Sequence, residues 1–150
     1  MIRKLYRIDR FPHGAPQQFT TAHLEIYGID HFRPSFGAMV FFNDAEVTAE
    51  LASEERGSYA GGFAVFGHGT CYGDEGHCTN PAHRRRFDVR RSHPLTKAFK
   101  RIDVTAALRG AVAAGNTLEI AIVAETHGDA LSEEHMPLFK CAGLQLVTFL

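Results

Sequence analysis

The chain has 150 residues, 45% of them hydrophobic and 22% charged, which is enough for one domain with a real core and too little for two. Sixteen Lys and Arg stand against 17 Asp and Glu, a formal charge of -1, so no field over the whole molecule would recruit nucleic acid or an anionic membrane. Histidine departs from the ordinary: nine are present, whereas an average composition of about 2% would supply roughly three, and the excess points to proton or metal chemistry.

Met1 to Asp9 carries a charge every two or three residues and no apolar run of signal-peptide length, and no later stretch reaches the length of a membrane span. The expected compartment is the cytoplasm, where Cys71, Cys78 and Cys141 stay reduced; in an exported chain a Cys71–Cys78 disulfide is open. The first strand expected runs from Phe19 to Tyr27, which alternates loosely and is rich in β-formers. Gly28 to Ser35 supplies a turn, and the apolar run Phe36 to Phe42 reads as the second strand, ended by Asn43 and Asp44. Glu46 to Ser58, with four glutamates and one arginine, reads as a solvated loop. Gly61 to Gly67 is a third strand, kept short by glycines at both ends.

From His68 to Pro94 the apolar periodicity stops, and glycine, proline, histidine, arginine and cysteine take over. A loop of that length inside a compact domain is functional or tied down by something. Alternation resumes over Lys97 to Val104 as a strand, followed by a short alanine-rich helix, Ala106 to Ala113, capped by Asp103 or Thr105 and ended by Gly115. Thr117 to Ala124 is the clearest strand in the chain, and Leu144 to Phe149 closes it after a polar loop from Glu125 to Pro137. Short strands with one small helix and no repeated βα unit predict an all-β fold. The expected architecture is a single domain over 1–150, an antiparallel, jelly-roll-like β-sandwich with a long His/Cys-rich loop at 68–94.

That loop carries the strongest chemical signal. His68, Cys71, His77, Cys78 and His83 fall within 16 residues, and His93 follows ten residues later. Imidazole and thiolate together suit copper, zinc and iron, whereas calcium or magnesium would ask for carboxylates and carbonyls. The glycines at 67, 69, 73 and 76 give the backbone the freedom to bring distant donors to one ion. Cysteines seven apart, with His77 directly before Cys78, do not match zinc-finger spacing. The expected ligands are therefore His68, Cys71, His77, Cys78 and His83, with copper the first choice and zinc or iron behind it. The alternative is a glycine-rich loop with surface histidines and either buried thiols or a Cys71–Cys78 disulfide. His93, before Pro94, reads equally as a loop-terminus residue.

The remaining candidates are weaker. His127-Gly128-Asp129 has the His-x-Asp form of half a facial triad, a tripeptide short enough to arise by chance. His135-Met136 offers a nitrogen and thioether pair that copper(I) accepts. His23 and His31, in or beside a strand, read as hydrogen-bonded structural histidines. The five arginines between Arg84 and Arg91 suit a phosphate or carboxylate, but pairing with the acidic segments 46–55 and 129–134 explains them better than nucleic acid does. Hydrolase and nucleotide-binding motifs are absent from the sequence.

Several segments in order resemble the carboxy-terminal β-sandwich domain that follows the di-copper domain in the tyrosinase, plant polyphenol oxidase and molluscan haemocyanin family. They are Val40 to Asp44, Tyr59 to Phe66, Lys100 to Leu108, Asn116 to Val123 and Gly143 to Leu146, so the likeness runs over roughly residues 20–150. It implies a sandwich more than an activity. In that family six histidines on a four-helix bundle hold the paired coppers; this chain has neither the bundle nor helical His-x-x-x-His pairs, so it does not encode that site. The family's sandwich acts as a lid over the oxidase site, so a freestanding copy either serves a separate partner or has a site of its own. The expected function is a copper-handling or tyrosinase-accessory role, with a tyrosinase-type oxidase or a small phenol as partner and a homo-oligomer open. Asp74 and Glu75 would then orient the imidazoles. Two alternatives stand beside it. One is a mononuclear metal-dependent oxidase or oxygenase, with an open coordination position and Tyr72 beside it. The other is a metal-free interaction domain.

Overall fold

The apolar run Phe36 to Phe42 becomes an inner strand of the larger of two sheets. The computed structural model describes residues 1–30, 34–67, 87, 96–113, 115–127 and 137–150. Among them are seven strands and a helix: β1 (Ile2–Pro12), β2 (Thr21–Ile29), β3 (Phe36–Phe42), β4 (Tyr59–Val65), β5 (Ala98–Asp103), α1 (Thr105–Val112), β6 (Thr117–Thr126) and β7 (Gly143–Phe149). All pairings are antiparallel, in a four-stranded sheet ordered β1-β6-β3-β4 and a three-stranded sheet ordered β5-β2-β7. The fold is the all-β sandwich with one short helix that the strand pattern predicts. Among the described residues the strand orders follow the Greek-key pattern of a jelly roll, with the β3–β4 hairpin inside one sheet.

β6 is apolar on both sides because both sides are covered. Leu118, Ile120, Ile122 and Ala124 point between the sheets and meet Leu24 and Ile26 of β2 and Val40 of β3 in one buried core. Each fully buried aliphatic side chain of this kind contributes ~1.5–3 kcal/mol. Ala121 and Val123 point the other way, into a second apolar cluster with Phe41, Val47 and Ala52. The segment 44–58 is thus more than the solvated loop its glutamates predict, since Val47 and Ala52 are buried against the sheet.

β1 explains how that segment is held. The Arg7 guanidinium donates to the carbonyls of Asp44, Ala45 and Val47 at 3.0, 2.9 and 2.6 Å and pairs with Glu119. Arg3 donates to Glu125 at 2.9 Å and reaches the carbonyls of Ala49 and Ala52. Asp44, only 8% exposed, anchors the other end of the segment. It accepts from Arg56 at 2.9 and 3.1 Å, from the Ser58 hydroxyl and from the Glu46 N–H. The Arg56 guanidinium is the main reason its pKa falls to about 2.

The helix begins at Thr105, one residue before the predicted start. Its N-cap position is Val104, which has no capping side chain, and Asp103 instead accepts the Thr105 N–H at 2.9 Å. Neither predicted residue occupies the cap itself.

Candidate functional site

Three connections leave the same end of the sandwich. Ile29 pairs with Ala98, Tyr27 with Gly143, Phe36 with Val65, and Gly37 with Glu125, so the segments 30–35, 66–97 and 127–142 all start and finish there. Ser35 ties their roots together. Its carbonyl accepts the Thr126 hydroxyl at 2.7 Å and its own hydroxyl accepts the Gly67 N–H at 3.0 Å. The Asp30 N–H reaches the Lys140 carbonyl at 2.9 Å and joins the first connection to the third. In sequence, these connections carry seven of the nine histidines and all three cysteines.

A cleft of about 440 Å3 opens among these roots, lined by Ser35, Val65, Phe66, Lys100, Glu125 and His127. His127 is exposed at its mouth, and Phe66 is 85% exposed. Glu125 is already engaged by Arg3, at 2.8 Å. The predicted ligands His68, Cys71, His77, Cys78 and His83 lie outside the described residues, as do Tyr72, Asp74, Glu75, His31, His93, Asp129, His135 and Met136. So do Arg84, Arg85, Arg86, Arg90 and Arg91. Among the described residues no group of three or more His, Cys, Asp or Glu side chains could hold a metal ion. Cys141 is unpaired and half-buried, and burial pushes its thiol pKa up.

A second polar constellation escapes the sequence reading. On β2, His23, Glu25 and Tyr27 alternate onto the outer face of the three-stranded sheet. Asp103 and Arg101 of β5 lie across from the first two, and Val147, Gln145 and Gly143 of β7 flank all three. Arg101 meets Glu25 at 2.9 and 2.8 Å, and the Tyr27 hydroxyl donates to the same carboxylate. The hydrogen bond from Tyr27, then Arg101, holds the Glu25 carboxyl below the usual range, and the same bond raises the Tyr27 phenol. Glu25 is only 9% exposed even though it lies on an outer face. The signal for this face was the polar alternation along β2. Its partners were hidden because they come from strands about 75 and 120 residues further along the chain.

The hydrogen bond expected of His23 is not made by its Nδ1. That atom is buried without a partner, and the ring packs edge-on to Phe149 with centroids 5.4 Å apart. Among the described residues no helix is long and apolar enough to cross a membrane. No protein-family model, curated protein or solved structure matches the chain.

Proposed function

We propose that this chain is a small copper-binding β-sandwich protein with a copper-handling or tyrosinase-accessory role, holding the ion through His68, Cys71, His77, Cys78 and His83. One observation carries the reading: the strand registers gather the histidine- and cysteine-bearing connections at one end of the sandwich. Imidazole and thiolate donors on long connections rooted so close together suit copper(I) and compete for it, with zinc and iron next. The unpaired Cys141 thiol supports a reducing compartment, and the reading places the protein in the cytoplasm. The resemblance to the carboxy-terminal sandwich of the tyrosinase family supplies the candidate partner, a tyrosinase-type oxidase.

The test is elemental analysis of the purified chain, with absorption and electron paramagnetic resonance spectra. The expected result is stoichiometric copper that survives dialysis and is lost in His77→Ala. Protein purified from copper-supplemented cells without copper, or retention unchanged in His77→Ala, overturns the assignment. Exchangeable metal accompanied by oxygen consumption on a phenol replaces it with a mononuclear oxidase.

A further inference from the structure

We propose that the outer face of the β5-β2-β7 sheet binds a neutral saccharide, one sugar ring lying against Tyr27 in the gap over Gly143. This site is separate from the copper reading and does not depend on it. Among the described residues no apolar cluster covers this face, whereas the segment 44–58 covers the outer face of the other sheet. Phe99 and Phe149 remain 47% and 45% exposed on it. Tyr27 and Phe99 stand together with ring centroids 5.2 Å apart and planes tilted by 40°. The Arg101 guanidinium lies 5.9 Å from the centre of the Phe99 ring.

Gly143 sits directly across from Tyr27 on this face, and a Cβ built there would meet nothing within 4 Å. The strand therefore has an open notch where a side chain would stand. Glycine weakens a strand interior and marks places where another group approaches the backbone closely. No backbone requirement accounts for it, since Gly143 is not among the residues with positive φ.

The polar groups around the notch are already oriented. The Tyr27 hydroxyl has one proton, which it gives to Glu25. Gln145 Oε1 lies 3.1 Å from the same hydroxyl. Arg101 is held by Glu25 with further N–H groups left over, because a guanidinium carries five. The face thus combines an aromatic wall, the Gln145 amide and fixed guanidinium donors with charges that pair with one another. Sugars match that set: their C–H faces pack on aromatic rings and their hydroxyls both donate and accept. Anions meet Glu25 and Asp103 on the same face, and cations meet Arg101, so the neutral ligand is preferred.

The test is a neutral-oligosaccharide array, followed by titration calorimetry of the best binders against the full chain. The expected result is binding that Tyr27→Ala and Gly143→Val each weaken at least about tenfold. Gly143→Val fills the notch with a β-former and is expected to keep or raise the wild-type melting temperature. An array without a neutral binder overturns the proposal, and so does binding that Gly143→Val leaves unchanged in a folded protein. Stronger binding to anionic glycans than to neutral ones overturns it as well.

Discussion

The Tyr6 hydroxyl on β1 accepts the backbone N–H of Leu138 at 2.6 Å, joining the first strand to the segment that leads into the last. It also accepts the Phe139 N–H at 3.1 Å. Leu138 and Phe139 are 1% and 6% exposed, so neither N–H has ready access to water. Tyr6→Phe keeps the ring packed on Phe139, whose centroid is 5.6 Å away, and deletes only the acceptor. The cost of leaving two buried donors unmade is about 1–3 kcal/mol. Urea unfolding is expected to show a lower midpoint with the slope unchanged; an unaltered midpoint would show that the two N–H groups find another acceptor.

Asp44 makes stability fall in acid over a defined window. Its pKa drops from an ordinary 3.8 to about 2 in the folded protein, chiefly through the Arg56 guanidinium. A carboxyl with a depressed folded pKa stabilises the fold above its unfolded value, and that contribution is lost as pH falls through the folded one. The window is therefore pH 4 to 2, and the loss is on the order of 1–2 kcal/mol. Asp44→Asn is expected to be less stable at pH 6 and to lose less than the wild type between pH 4 and 2. Parallel slopes for the two proteins across that window would remove Asp44 from the acid transition.

These contacts separate what was legible in the sequence from what was not. β3 and residues 120–124 of β6 are continuous apolar runs, the signature of strand segments covered on both faces. β1 was missed because five of its eleven residues are charged. That charge makes sense only once the carbonyls of 44–52 are seen above it, and such partners are set by tertiary contact rather than by local pattern. The same limit hid Glu25, whose burial depends on Arg101 and Tyr27 closing over it. For the proposed copper site, residue type alone carries the reading: the sequence supplies candidate donors, and the strand registers add only that their connections share one end.

Two glycines are expected to respond in opposite directions to the same change. Gly61 on β4 has φ +139°, and a Cβ there would lie 2.6 Å from Cγ2 of Ile102 on β5. Gly61→Ala thus forces a left-handed conformation on a residue that disfavours it and a clash between the sheets, and is expected to cost more than about 1 kcal/mol. Gly110 lies exposed within α1, where a Cβ would meet nothing within 4 Å. Gly110→Ala removes unfolded-chain entropy without strain and is expected to stabilise by ~0.5–1 kcal/mol. In a domain of this size that corresponds to a melting temperature about 1–4 °C higher, against a fall of several degrees for Gly61→Ala. Scanning calorimetry of both variants decides the matter. A Gly61→Ala protein as stable as the wild type would mean that β4 and β5 can move apart at no cost, and would remove the close approach of the two sheets as a constraint on the fold.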